Sequence, residues 1–144
     1  MKKLLFHITQ VYVPANRFHI TLLIFRIALA AELMAAHGLK KIGIGVADAE
    51  AVPNPLHLPE TFNQLFATAA NLFFPVLVML GLFTRLAVLP TLAVTLTGLF
   101  VVHWNDSLME KDMPFMYSLA FLLLFSLGPG KYSIDNFINK KFRL

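Results

Sequence analysis

Two uncharged runs constrain this chain more than any other feature. Leu65–Phe83 ("LFATAANLFFPVLVMLGLF") and Leu86–Trp104 ("LAVLPTLAVTLTGLFVVHW") are each 19 residues long without a formal charge at neutral pH. Crossing the hydrocarbon core of a bilayer takes about 20 such residues in a helix. In lipid every backbone polar group must be paired within the protein, so only helices and closed barrels span. The runs lack the alternation of a barrel strand. Met113–Leu127 is a shorter uncharged run that extends through Asp112 and Gly128, and Ile20–Ala36 is a fourth, interrupted by Arg26 and Glu32. Hydrophobic residues make up 58% of the chain and charged ones 14%, against about 45–50% and about 25% in soluble proteins. The sequence predicts an all-α integral membrane protein, a four-helix transmembrane bundle with amphipathic terminal segments. The spans fall at about 20–37, 65–83, 86–104 and 112–128, in one membrane domain covering 1–144.

Charge sets the expected orientation. Four spans put both termini and the Thr84–Arg85 turn on one side. That side holds Lys2, Lys3, Arg17, Arg85, Lys131, Lys140, Lys141 and Arg143 against one acid, Asp135. The other side holds Lys40, Lys41 and Lys111 against Asp48, Glu50, Glu60, Asp106, Glu110 and Asp112. Basic residues remain cytoplasmic, so both termini are expected inside a bacterial cytoplasmic (inner) membrane. No basic stripe exists apart from these flanks, which argues against a nucleic-acid partner. The chain has no cysteine, which excludes disulfides, Cys-ligated iron–sulfur clusters and a thiol redox pair. No metal site is expected. "MKKLLFHITQVYVPANRF" begins like a signal peptide, but His7, Thr9 and Gln10 break its apolar run and no A-x-A site follows. It is expected to stay attached and lie along the membrane surface.

Local signals predict the element ends. The stretch from Lys40 to about Glu60 is a long Pro- and Gly-rich loop, of the length that usually forms a lid or binding loop. Its "GIGV" lacks the lysine and the strand–helix context of a phosphate loop. Thr61 and Gln64 are spaced as a capping box for the second helix. Gly81 can close that helix and Thr84 can cap the next, giving a tight hairpin. Thr91, Thr95, Gly98 and Val102 form a small-residue face suited to close helix contact. Asp112 and Pro114 are expected to start the fourth helix and Pro129 to stop it. Ser133 then caps a short helix whose Ile134, Phe137 and Ile138 share a face, followed by Lys140, Lys141 and Arg143. That pattern predicts an interfacial helix on an anionic leaflet.

The first span carries three ionisable groups. Arg26 lies about 9 Å deep at 1.5 Å per residue, within reach of the inner surface by snorkelling. His37 falls at the outer boundary. Glu32 lies about 18 Å deep, beyond snorkelling reach, and an ionisable residue there is a functional candidate. It stands about 120° around the helix from Arg26, so its partner must come from another helix. Asn71, on the polar row Gln64, Thr68 and Asn71 of the second helix, is the first candidate.

These landmarks together resemble the DoxX family of small bacterial membrane proteins. The matching pieces are "RIALA…HGLKKIG" (Arg26, His37, Gly38, Lys40, Lys41), "LGLFTRLAVLP" (Gly81, Thr84, Arg85) and "LGPGKYSID" (Gly128, Pro129, Gly130, Asp135), and the likeness runs from about Arg26 to Asp135. The resemblance implies a four-helix membrane protein; DoxD-type relatives are subunits of a thiosulfate:quinone oxidoreductase, and others are linked to redox and sulfur-stress complexes. It also implies that a carboxylate often stands near the position of Asn71 and an apolar residue at that of Glu32, so that the charge has moved between helices here.

Three functions compete. A quinone-interacting subunit of a membrane oxidoreductase needs an apolar slot with a few convergent polar groups. Arg26, His37, Asn71, His103, Trp104 and Tyr117 are the candidate binding residues, with Glu32 as proton partner. Electrons then come from a redox partner protein or a soluble donor, and the chain itself is at most a membrane subunit of a quinone-linked enzyme. A His37–His103 pair also allows a haem in principle. The second function is a proton-coupled small-molecule transporter using Glu32; the eight-to-three basic bias opposes the dual topology of small antiparallel transporters. The third is a scaffold for soluble redox or stress proteins. Self-association stays open in all three.

Overall fold

The computed structural model describes residues 12–142, and they form helices, turns and loops without a strand among them. Helix α1 (Ala15–Leu33) continues without a break through a wide π-helical turn (Met34–Gly38) and a tight 3-10 turn (Leu39–Ile42). Helix α2 is Glu60–Leu80, α3 is Thr84–Thr97 with a second π-helical turn at Gly98–Val102, and α4 is Leu108–Leu127. The short α5, Ile134–Phe142, follows the "LGPG" turn. Residues 1–11, where the surface-lying N-terminal segment was expected, fall outside the described residues.

Ala15–Ile42, Glu60–Leu80 and Thr84–Val102 are long and apolar enough to cross a membrane, yet only 22–28% of each apolar window is buried within the protein. Ile24, Ile27, Leu65, Phe73, Leu86, Leu89 and Phe100 all point outward. A helix apolar on every side needs an apolar surrounding, and these membrane-spanning helices place the chain in a lipid bilayer. Helix α4 is of similar length, but its first turns carry Glu110, Lys111 and Asp112.

Each helix packs on its neighbour in sequence, α1 on α2, α2 on α3 and α3 on α4. The core between them is Leu22, Ala30, Leu33, Val78, Val88, Leu92, Phe121 and Leu124. Lipid tails are as apolar as leucine, so association relies on close packing and interhelical hydrogen bonds. Small residues permit the approach. A Cβ on Gly38 would collide with the Asn71 carbonyl oxygen, so no larger residue fits where α1 crosses α2 without a backbone shift. Of the small-residue face on α3, Thr91 and Thr95 are buried. The Thr91 hydroxyl donates to the Ala70 carbonyl of α2 at 2.7 Å, and the Ser118 hydroxyl of α4 donates to Thr95 Oγ1 at 2.9 Å. Such bonds are worth about 0.6 kcal/mol each on average in membranes. Gly98 is half-buried, and Val102 turns outward.

Three expected helix starts differ. The Thr61–Gln64 capping box does not form: the cap position falls two residues earlier, at Pro59, with Glu60 in the first turn where the helix dipole favours an anion. A capping box is instead built at α4, where the Glu110 carboxylate accepts from both the N–H and the hydroxyl of Ser107 at 3.0 Å. That starts α4 a full turn before Asp112 and Pro114. Thr84 does not cap α3 with its own side chain. Phe83 holds the cap position in a left-handed conformation (φ +47°), and the cap itself comes from Asp135. Gly81 does close α2, at φ +69°, and Ser133 does cap α5, its hydroxyl accepting the Asn136 N–H at 3.1 Å.

Candidate functional site

The residues singled out in the sequence separate into two groups at opposite ends of the bundle. At the hairpin end, the Arg26 guanidinium is 1% exposed and donates to the backbone carbonyls of Pro129, Tyr132 (2.8 Å) and Met79 (3.3 Å). Arg26 does point toward this end, as snorkelling requires, but it terminates inside protein rather than in water. Its fork ties α1 to the end of α2 and to the "LGPGKYS" turn. A Cβ on Gly81 would come within 2.6 Å of Arg26 Nη1, so the glycine makes room for the guanidinium as well as for its own positive φ.

Beside it, the Asp135 carboxylate accepts from Phe83 N–H (2.7 Å), Thr84 N–H (3.0 Å) and the Thr84 hydroxyl (3.1 Å). The Asp135 N–H donates to the Gly81 carbonyl at 2.9 Å. Arg85 Nε donates to Phe125 O at 3.1 Å, and its guanidinium lies over Gly128, which sits at φ +76°. Gly130 is also at positive φ. "LGLFTR" and "LGPGKYSID", distant in sequence, are therefore one interlocked structure. Most polar groups in it are matched within the protein, mainly to backbone, although Arg26 Nε is buried without a partner.

At the loop end, His37, Asn71, His103 and Tyr117 meet around one cavity of about 180 Å³. Each comes from a different helix or its π-helical extension. Leu33, Val94, Met113 and Pro114 supply apolar wall, and Lys41 reaches the rim. The wide turns put two of these groups in place. Met34–Gly38 carries His37 and Gly98–Val102 ends at His103, and π-helical turns recur at functional sites. His37 packs edge-on against the Tyr117 ring, with centroids 5.5 Å apart and planes at 84°. His103 Nδ1 pairs with Asp106 at 2.7 Å. Asn71 is 4% exposed and its Oδ1 has no hydrogen-bond partner. A buried amide oxygen left unpaired costs about 1–3 kcal/mol, a condition it shares with Arg26 Nε at the hairpin end.

Glu32 does find its partner on another helix, but that partner is Tyr117 of α4 and not Asn71. The Tyr117 hydroxyl donates to Glu32 Oε2 across the α1–α4 seam. The Tyr117 ring lines the cavity while the carboxyl it bonds is exposed on the bundle's flank. Arg26 stands apart, at the other end. Trp104 is 65% exposed and does not line the cavity; its backbone carbonyl accepts from Lys111 Nζ at 2.7 Å. Lys41 is a lining residue that the sequence does not single out for binding. Its side chain is mostly covered and lies 3.9 Å from Glu50 of the following loop, and no local pattern signals that fold-back. Among the described residues no three His, Asp or Glu groups gather to hold a metal ion.

The DoxX family model matches residues 21–104, and the chain belongs to the DoxX family. A Haemophilus influenzae protein described only as uncharacterized is 30% identical over 131 residues, covering 85% of this chain and 86% of its own length. The Escherichia coli inner membrane protein YqjF is 39% identical over 69 residues, or 45% of this chain and 53% of that protein. No solved structure matches.

Proposed function

We propose that this chain is a membrane subunit that binds the ring of a quinone in its loop-end cavity. The observation that carries the reading is the convergence of His37, Asn71, His103 and Tyr117 on one otherwise apolar cavity, with Asn71 Oδ1 buried and unpartnered. Small-molecule sites have this composition, apolar walls with a few placed polar groups. A cavity of about 150 Å³ accepts a benzene ring, so 180 Å³ admits one six-membered ring and excludes a four-pyrrole haem.

A quinone supplies two-electron, two-proton chemistry when bound. The Asn71 Oδ1 would accept from a ring hydroxyl of the reduced, quinol form, and the His37 and His103 imidazoles offer polar contact to a ring carbonyl. Tyr117 and Glu32 hold a proton between the cavity wall and the bundle's flank, which makes Glu32 the proton partner. Val94, Met113 and Pro114 supply apolar wall for the ring. With no thiol on the chain, electrons come from a partner protein or soluble donor.

The same reading takes 1–144 as one membrane domain in which α4 spans as well, with Glu110, Lys111 and Asp112 in the outer headgroups. The basic bias puts both termini in the cytoplasm and the cavity in the outer half of the bilayer. The similarity to an inner membrane protein supports the cytoplasmic membrane as its location. The test uses Trp104, the single tryptophan, next in sequence to His103. Titration of the protein in lipid nanodiscs with tail-free 2,3-dimethoxy-5-methylbenzoquinone is expected to quench its fluorescence saturably. Asn71→Leu is expected to weaken that binding at least tenfold. Linear quenching, equal in both proteins, contradicts the reading.

A further inference from the structure

A second cavity, of about 250 Å³, lies beside the first under the loop segment Val52–Leu58. Val52, Pro53, Pro55, Leu56 and Leu58 form its roof, and Phe66 and Ala67 of α2 with Thr97 of α3 form its floor. The roof is built rather than draped. Asn63 Nδ2 of α2 donates to the Pro53 carbonyl at 3.1 Å, and the Asn54 amide both accepts from Leu58 N–H (2.9 Å) and donates to the Leu58 carbonyl (2.7 Å). Proline at 53, 55 and 59 fixes φ through this stretch. The space beneath is held open by hydrogen bonds and ring constraints.

The two cavities share Lys41, Val94, Gly98 and His103 as common wall. Neither alone reaches the roughly 300 Å³ at which small-molecule sites begin; side by side they pass it. They also differ in kind. The first adds His37, Asn71 and Tyr117 to the shared Lys41 and His103; the second adds mainly hydrocarbon, with Asn63 already committed to the roof. Ala93 and Val102 line the second cavity and are also exposed on the flank of α3. It therefore opens sideways, toward the bilayer.

We infer that this chamber holds the hydrocarbon tail adjoining the ring, so that the site selects a lipid-tailed quinone over a tail-free one. The inference rests on the ring assignment above. A polar ring cavity joined to an apolar chamber that faces lipid fits a ligand that is polar at one end, apolar at the other, and arrives through the membrane.

The test compares 2,3-dimethoxy-5-methylbenzoquinone with its 6-decyl analogue, in nanodiscs of one lipid composition. Ala67→Phe and Thr97→Phe fill the chamber from opposite sides, and neither residue lines the ring cavity. Ratios of variant to wild-type affinity cancel the partitioning of each probe into lipid, and melting temperatures confirm that both variants fold. Decyl-quinone binding is expected to weaken at least tenfold in both variants while tail-free binding stays within twofold. Unchanged decyl binding overturns the inference and assigns the chamber to an acyl chain of the bilayer. An equal loss for both probes also overturns it, because the two spaces are then one ring site. Failure of both probes to saturate the wild type sinks the ring assignment itself.

Discussion

Asp135 caps the helix that Thr84 begins, from 51 positions further along the chain. The carboxylate takes the place that a local Ser, Thr or Asp occupies at most helix starts, and it satisfies two backbone N–H groups and a hydroxyl at once. The hairpin between α2 and α3 is thus completed only when α5 has arrived.

Replacing Asp135 by Ala is expected to destabilise the protein by about 1–2 kcal/mol, the usual cost of a lost cap. Asp135→Asn keeps one acceptor and should lose less. Thermal midpoints in detergent give the order: wild type above Asn, Asn above Ala.

Arg26→Met removes the donor for the Pro129, Tyr132 and Met79 carbonyls, which are only part-buried, so the loss should fall toward the lower end of about 1–3 kcal/mol per unpaired group. Arg26→Lys keeps the charge but not the planar fork and should fall between Met and wild type. Gly81→Ala should resemble Arg26→Met, since its methyl collides with the guanidinium and with Ser133. Midpoints indistinguishable from wild type would show that Arg26 does not hold this end together.

Much of this architecture is legible in the sequence, and the losses have physical causes. The long uncharged runs around Leu65 and Leu86 and the Gly81 stop depend on local composition, which the chain displays openly. His37, Asn71, His103 and Tyr117 stand out because each is polar where neighbours are apolar. Their meeting in one cavity is a different matter, because the π-helical turns at Met34–Gly38 and Gly98–Val102 each add a residue to a turn and shift everything beyond them. That insertion answers to packing, such as the contact of Gly38 with the Asn71 carbonyl, and leaves no periodic trace. The partner of Glu32 and the cap from Asp135 were hidden for the same reason: both lie across helices whose mutual rotation no single segment encodes. The Thr61–Gln64 spacing misled because Pro59 and Glu60 offered an earlier start.

Tyr117 and Glu32 form a bond whose worth a double-mutant cycle isolates. Glu32→Gln and Tyr117→Phe should each fold, with a coupling of about 0.6–1.7 kcal/mol in stability, the range for interhelical hydrogen bonds in membranes. Glu32→Gln should leave quinone binding within twofold, because the carboxyl lies outside the cavity. In a reconstituted quinone-reduction assay with the native donor, the same variant should lose turnover. Normal turnover in Glu32→Gln would reduce the pair to a structural seam.

Topology reporters fused after Leu144 and within Asn105–Asp112 should read cytoplasmic and external respectively. Arg85→Glu should lower insertion yield, since it opposes the basic bias of the hairpin side. Identical compartments for the two fusions would mean that α4 does not span.

The location of the ligand is the central claim, and photolabelling tests it directly. An azido-substituted benzoquinone, irradiated with the protein in nanodiscs and mapped by mass spectrometry, is expected to attach to peptides carrying His37, His103 or Tyr117. Excess unlabelled quinone should suppress those adducts, and Asn71→Leu should reduce them. Adducts confined to outward-facing residues such as Phe73 and Leu86, undiminished by competitor, would contradict a quinone site in the loop-end cavity.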